Sequence, residues 1–129
     1  MRDLAALASA ITAETSFQRA AFRLQMGARW LTGAAEGVVA VFDWKRRTAW
    51  TLQGTITNPS VKDLVAQVAG SGQRSVLGNA LLEPIGPSPA RVVLALRKPH
   101  GGHFTNSEIA MMNALSMHIA PSLERLLGR

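Results

Sequence analysis

The chain contains no cysteine and no tyrosine among its 129 residues. Without cysteine there is no disulfide framework, no thiolate ligand for zinc or an iron–sulfur cluster, and no cysteine nucleophile. Without tyrosine, and with 3 histidines, few side chains can serve as a general acid or base near neutral pH. These absences exclude many enzyme classes. The 47% hydrophobic content is enough to fill one core in a chain of this length, which predicts one compact domain.

Acidic residues are also scarce: the chain has 8 of them and 14 lysines and arginines, which gives a formal net charge of +6. The basic residues are mostly spread singly and cluster at Lys45-Arg46-Arg47 and at Arg97-Lys98. Scattered charge mainly keeps a protein soluble, whereas nucleic-acid binding needs a basic patch. We therefore do not expect nucleic acid as a partner. A small nucleic-acid-binding protein that uses these two clusters remains the third-ranked alternative.

Long apolar runs are absent as well. The N-terminal segment superficially resembles a secretory signal, because a basic residue precedes an apolar stretch. Asp3 interrupts its entry, however, and the stretch from Leu4 to Ala8 is shorter than a signal core. No segment approaches the roughly eighteen apolar residues of a membrane span. We predict a cytoplasmic module with an N-terminal helical extension at residues 1–14 and the main domain at residues 15–129.

Two helices carry apolar stripes at the spacing of a buried or paired helix face. One follows a break near Thr15-Ser16. The other follows Thr105, where an N-cap residue, Glu108 three positions later and the preceding Phe104 form a helix-start signal. Such stripes suit packing on a sheet or pairing with a second copy of the chain. We predict a homodimer interface, with the core as the alternative, at Phe17, Ala21, Leu24, Ala28, Leu31, Ile119, Leu123 and Leu126.

Between these helices the sequence predicts a sheet that is covered on both sides, because two of its strands are apolar on both faces. The charged segment from Asp43 to Arg47 predicts an exposed hairpin turn. Asn58 as a cap and Pro59 in the first turn predict a short helix that ends near Gly70. The strands are predicted at residues 36–43, 48–55, 73–77, 80–85 and 91–97.

No residue cluster points to catalysis or to a metal. His100 and His103 flank a glycine pair, but two histidines without a third ligand are a weak metal site. His118 is a lone helical histidine, and such residues are usually packed or exposed rather than bound to haem. The acidic residues have local roles at turns and helix ends, so no carboxylate pair can be singled out. We expect neither an enzyme nor a bound cofactor.

The C-terminal part of the sequence resembles the end of a GAF domain. That resemblance lies in the strand from Arg91 to Arg97, the glycine-containing turn, the Phe104-Thr105 pair, the acidic Glu108 and the helix after it. Further upstream the opening helix, the first hairpin and the helix-then-glycine segment of the family are matched by residues 17–31, 37–52 and 64–76. The likeness extends from near Thr15 to the end of the chain.

This resemblance implies an α+β fold. Its elements would be an antiparallel sheet of about five or six strands, helices from both termini on one face, and a small-molecule pocket under a segment on the other face. GAF domains usually act as sensors or regulatory domains, and their terminal helices commonly pair and continue into an effector. The implied function is a sensor that binds an unidentified small molecule and signals to an effector domain or partner protein. A degenerate GAF fold that serves only dimerisation or protein docking is the alternative.

Departures from defined subfamilies narrow the implied ligand. The missing cysteine conflicts with the covalent bilin-binding type and with the free methionine sulfoxide reductase type, and the Asn-Lys-Phe-Asp-Glu pattern of the cyclic-nucleotide-binding phosphodiesterase type is absent. A small apolar or amphipathic ligand, or none, remains. If the family pocket is retained, its wall is expected, with Arg74 as an anion contact, at Trp50, Leu52, Val61, Leu64, Val65, Arg74, Val76 and Leu94.

Overall fold

A computed structural model describes residues 2–52 and 59–128 of the chain. In chain order its elements are α1 (Arg2–Thr12), α2 (Phe17–Thr32), β1 (Glu36–Asp43), β2 (Thr48–Leu52), α3 (Pro59–Ser71), β3 (Ser75–Leu77), β4 (Ala80–Ile85), β5 (Val92–Arg97) and α4 (Asn106–Leu127). The strands form an antiparallel five-stranded sheet in the order β2-β1-β5-β4-β3. The predicted α+β class with an antiparallel sheet is confirmed.

Side chains along β1 alternate between the two faces of the sheet, and a separate core lies on each face. Val39 and Val41 pack into a core with α2 and α4, on what we call the terminal-helix face, and α1 packs on those two helices. Ala40 and Phe42 point the other way, to a smaller core under α3, which we call the α3 face. Successive strand side chains alternate between faces. One strand therefore contributes to both cores, and the predicted placement of the terminal helices on one side of the sheet is confirmed.

The predicted dimer stripe lies inside the chain's own core. Five of its members are almost fully buried in the single chain: Ala21, Leu24, Ala28, Ile119 and Leu123. Its other members, Phe17, Leu31 and Leu126, are partly buried against the same cluster. These side chains bind the two terminal helices to the sheet. The structure thus places the five buried members in the core alternative, where they are not available to a second copy.

Helix α1 is docked on the domain rather than standing apart from it. Ala8 and Ile11 belong to the main core, and Leu7 lies against Gly27 of α2, where the absent side chain lets the two helices approach closely. Glu14, after the helix, accepts a hydrogen bond from Arg23 in an ion pair. No helix in residues 2–52 and 59–128 is long and apolar enough to cross a membrane.

Helix α4 begins where the sequence predicts. The Thr105 side chain accepts a hydrogen bond from the Glu108 N–H at 3.1 Å, and the Glu108 carboxylate accepts one from the Thr105 N–H at 2.9 Å. Lys98 Nζ lies 2.8 Å from the same carboxylate. Burial alone would raise the pKa of Glu108, but the hydrogen bonds from Lys98 and Thr105 and the lysine's charge lower it overall. The predicted capping box is confirmed.

The hairpin turn between β1 and β2 is also as predicted, with residues 44–47 exposed. Asp43 Oδ1 accepts a hydrogen bond from the Arg46 N–H at 3.2 Å, and Arg47 has a left-handed φ of 55°. Helix α3 begins at Pro59, as its sequence predicts. The capping residue Asn58 and positions 53–55 of the predicted second strand lie outside the described residues.

Candidate functional site

A groove opens on the α3 face, between α3 and the β1–β2 hairpin. It encloses about 400 Å³, within the range of small-molecule pockets. Helix α3 packs over β4 and β5 and shares a core with Ala40 and Phe42 of β1. Within residues 2–52 and 59–128, the first three residues of the edge strand β2 stay exposed beside it. The groove is lined by Ala40, Phe42, Ala49, Trp50, Thr51, Lys62, Val65 and Ala66.

Strand register explains the groove's floor. Ala40 pairs with Thr51, and Phe42 pairs with Ala49, across the antiparallel β1–β2 ladder. Directly opposed residues project from the same face of a sheet, so these four side chains lie together on the α3 face. Two of them are alanines, and a third alanine, Ala66, faces them from α3. The small side chains leave the space that a larger residue would fill.

Aromatic stacking holds one end of this floor in place. The rings of Phe42 and Trp44 stack with centroids 5.4 Å apart and an interplanar angle of 11°. Trp44 Nε1 donates a hydrogen bond to the carbonyl of Ala90 at 2.9 Å, which ties the hairpin to the chain before β5. Phe42 is therefore fixed before any ligand arrives, which lowers the entropic cost of binding.

Among the described residues that line the groove, Thr51 and Lys62 have polar side chains, and Thr51 already has an interaction partner. Lys62 is exposed on the first half of α3 and makes no ion pair with residues 2–52 or 59–128. A cation at the edge of an apolar surface suits a molecule with an apolar body and an anionic or strongly polar end. The arrangement can hold and orient such a molecule.

The structure brings only part of the sequence-predicted pocket wall together. Val65 lines the groove, and Val61 and Leu64 pack on the same face beside it. Trp50 borders the groove, but it pairs with Val41, so its side chain projects from the terminal-helix face of β2. Leu52 and Leu94 instead lie opposite Val39 and point into the core under α2 and α4.

The last two predicted wall residues lie at the far edge of the sheet. Val76 pairs with Leu81 and is about half exposed on β3, the edge strand. Arg74 forms an ion pair with Glu83 on the terminal-helix face. The eight predicted residues therefore do not form one wall.

Sequence reasoning missed Ala40, Phe42, Ala49, Thr51, Lys62 and Ala66. The sequence contains a usable signal for the groove floor. Side chains along β1 alternate between the two faces of the sheet, so residues 40 and 42 lie on the face away from Val39 and Val41. The length of the hairpin turn then determines which residues of β2 share a face with positions 40 and 42. It puts Thr51, and not Leu52, on the groove side. A lysine on α3 carries no comparable signal.

The two basic clusters do not combine into one surface. Lys45-Arg46-Arg47 lies at the end of β1, whereas Arg97 pairs with Glu36 at its start. Six strand residues at about 3.3 Å each separate those ends by roughly 20 Å. Arg97 and Lys98 also form ion pairs with Glu36 and Glu108, which reduces the field that they present to an anionic polymer.

The three histidines lie apart from the groove and are exposed. His100 and His103 flank the turn that leads from β5 into α4, and His118 lies on α4. Across residues 2–52 and 59–128, no group of three or more histidine, aspartate or glutamate side chains is arranged to hold a metal ion.

Comparison with known proteins gives a match at the level of structure. No family model and no curated protein matches the sequence. Among solved structures, the chain is similar to the GAF domain from Acinetobacter phosphoenolpyruvate-protein phosphotransferase, with a TM-score of 0.79 at 11% sequence identity. The alignment covers 95% of this chain and 90% of that one. At such low identity the similarity bears on the fold alone, and it agrees with the likeness in the sequence. The chain has a GAF-like fold.

Proposed function

We propose that this chain is a sensory or regulatory module whose groove binds a small amphipathic molecule. In this proposal the terminal helices pass the change in occupancy to an effector or partner protein. The observation that carries it is an open groove with an apolar floor and a cation at its edge, on the sheet face opposite the terminal helices. The GAF-like fold supports a sensory role over a catalytic one.

Binding would draw mainly on apolar contact. Burying apolar surface contributes about 25 cal/mol per Å². Because Phe42 and Val65 are already largely buried in the chain, most of this gain would come from the apolar surface of the ligand itself. Lys62 favours an anionic end through a charge interaction that is screened by salt. We therefore expect affinity to fall moderately, and not to vanish, as ionic strength rises.

Strand β1 provides the physical link to the helices. Ala40 and Phe42 form part of the groove floor, while Val39 and Val41 on the same strand pack against α2 and α4. A ligand that favours one position of β1 shifts the terminal helices only by its difference in affinity between the two arrangements. The proposed output is thus a modest change in helix packing.

A thermal-shift screen tests the binding proposal. Nucleotides, amino acids, aromatic acids and haem are added at saturating concentration, and a ligand present at about one hundred times its Kd adds roughly 2.7 kcal/mol of stability. Ala66→Phe, which fills the groove, removes the shift produced by a hit. Gln67→Phe is the matched control on the exposed face of α3 and keeps it. Unchanged melting across the whole panel counts against ligand binding.

A protein-docking or dimerisation module is the second candidate, because one apolar surface is left exposed by the residues that the structure describes. Phe22, Met26 and Trp30 are spaced four residues apart on α2 and are 48%, 46% and 72% exposed. Residues at this spacing share one helix face. We call this surface the α2 stripe, and a homodimer or a partner protein would bury it.

Sedimentation velocity tests that candidate. If the stripe mediates self-association, Trp30→Ser shifts the chain toward the monomer. Met117→Ser removes a similarly exposed apolar side chain from α4 and has no such effect. A wild-type chain that stays monomeric at high concentration contradicts the homodimer.

A further inference from the structure

A second cavity, of about 380 Å³, lies on the terminal-helix face between the β3–β4 edge of the sheet and α4. The sheet separates it from the groove. Its walls carry charged and amide side chains, including Gln73, Arg74, Glu83 and Asn113, beside the apolar Met117. A polar cavity of this size on a face otherwise occupied by core packing needs a physical explanation.

Glu83 is the unusual residue of this cavity. It occupies a strand position that faces the terminal helices, opposite Leu94, and is 3% exposed. Removing a carboxylate from water costs several kcal/mol unless charge and hydrogen bonds compensate. Arg74 Nε donates a hydrogen bond to Glu83 Oε1 at 2.5 Å, so one oxygen is satisfied. An apolar residue would fit this strand position at lower cost.

Arg74 is only partly used by that contact. Its two terminal Nη groups make no hydrogen bond with residues 2–52 or 59–128, and its side chain is 30% exposed. The amides of Gln73 and Asn113 line the same cavity. The Ser116 hydroxyl, by contrast, is occupied, because it donates to the carbonyl of Pro84 at 2.8 Å. The Asn113 amide donates one hydrogen bond to Met117 Sδ at 3.8 Å. The cavity therefore offers solvent-accessible N–H donors of Arg74 and Gln73 next to a buried carboxylate.

The pairing of Arg74 with Glu83 determines which charges a ligand of this cavity must carry. A simple anion drawn to Arg74 is repelled by Glu83, and a simple cation drawn to Glu83 is repelled by Arg74. A molecule that carries both charges a few bond lengths apart satisfies both groups. An α-amino acid has this arrangement, and its side chain can lie against Met117 and Ala120, which also line the cavity.

We propose that this cavity is a second binding site, separate from the groove, for a small zwitterion of the α-amino-acid type. The Nη groups of Arg74 bind the carboxylate, the Glu83 carboxylate binds the ammonium, and the amides of Gln73 and Asn113 complete the polar contacts. The proposal does not depend on whether the groove binds a ligand.

The test is an NMR titration of the full chain with the common amino acids, each up to about 10 mM, a range that detects millimolar affinity. The side-chain amide signals of Gln73 and Asn113 report on the cavity, and the methyl signal of Ala66 reports on the groove. At least one amino acid should shift both amides and leave the Ala66 methyl signal unchanged. Its analogue without the amino group, and its analogue without the carboxylate, should each bind at least about tenfold more weakly.

The variants are chosen so that folding does not confuse the result. Arg74→Gln alone leaves a buried charge unpaired, so the double variant Arg74→Gln with Glu83→Gln removes both charges, and the glutamine at position 83 keeps the size of the buried glutamate. It should lose binding, while Arg46→Gln on the hairpin keeps it, and far-ultraviolet circular dichroism confirms that both are folded. The proposal is overturned if no amino acid shifts the two amides, if either analogue binds as well as the parent, or if the folded double variant binds unchanged. Shifts confined to the Ala66 methyl signal would assign binding to the groove and also overturn this proposal.

Discussion

At the contact between α1 and α2, the Leu7 side chain decides whether Gly27→Ala lowers or raises the stability of the protein. Gly27 of α2 faces Leu7 of α1, and a Cβ added at position 27 would lie 2.4 Å from Leu7 Cδ1 and 2.5 Å from Cδ2. Carbon atoms cannot approach that closely, so Gly27→Ala forces Leu7 or the whole of α1 to move. The substitution therefore tests how tightly α1 is docked on the domain.

Two opposing effects set the magnitude. Overpacking typically costs about 1–3 kcal/mol, whereas alanine is better than glycine inside a helix by about 1 kcal/mol. Gly27→Ala should thus lower the free energy of unfolding by about 0–2 kcal/mol. Leu7→Ala alone costs about 2 kcal/mol, since the leucine is partly buried. In the Leu7→Ala background the steric conflict is gone, so Gly27→Ala should raise stability by about 1 kcal/mol.

Urea unfolding of the four chains, followed by tryptophan fluorescence, measures this double-mutant cycle. Gly70→Ala is the control, because the nearest atom to its added carbon is 3.9 Å away, and it should gain up to about 1 kcal/mol. Hydrogen exchange of the α1 amides shows whether the loss reflects undocking of that helix. Equal stabilisation by Gly27→Ala in both backgrounds would refute close packing of α1 on α2.

Four further predictions concern local contacts. Thr105→Ala should lower the free energy of unfolding by about 1 kcal/mol through loss of the N-cap, with Thr105→Ser as the control in urea unfolding. Since the folded-state pKa of Glu108 lies below its ordinary 4.5, its contribution to stability is present above that pH and is lost as the pH falls; Glu108→Gln should flatten the acid limb of a stability–pH curve. Burial raises the pKa of Glu83, although the hydrogen bond and charge of Arg74 lower it in part, so its pH dependence is the reverse of that of Glu108. Relative to Glu83→Gln, the wild type should lose stability as the pH rises from below 4.5 through the raised pKa. Parallel stability–pH curves for the two chains would contradict this. Arg47→Gly should raise the melting temperature, with a gain of about 0.5 kcal/mol from relief of the left-handed φ, while Arg46→Gly should lower it.

Local sequence signals predict the elements of this fold because they act over a few residues. The capping box at Thr105 and Glu108 needs four consecutive positions, and β1 and β5 are each recognised by a short continuous run of apolar residues. The sequence does not show what covers a stripe. Leu24 and Ala28 have the same spacing whether they face their own sheet or a second copy, so the core and the dimer interface cannot be distinguished by periodicity.

The site depends on register and on long-range packing, and so it is harder to predict. Leu52 and Leu94 are apolar strand residues that suit a pocket wall, but both share the face of Val39 once the strands are paired. The ion pair of Arg74 with Glu83 joins positions nine residues apart through the β3–β4 hairpin. Neither relation can be read from composition or from the spacing of one element alone.

The two-sided role of β1 limits how the protein can diverge. Substitutions at positions 40 and 42 can reshape the groove without changing the core under the terminal helices, because the side chains of Val39 and Val41 lie on the other face of the sheet. A single-residue insertion or deletion within the strand would exchange those sets and expose valines where alanine and phenylalanine now lie. Homologues that recognise different molecules should therefore vary at these two side chains while keeping the length of β1 constant.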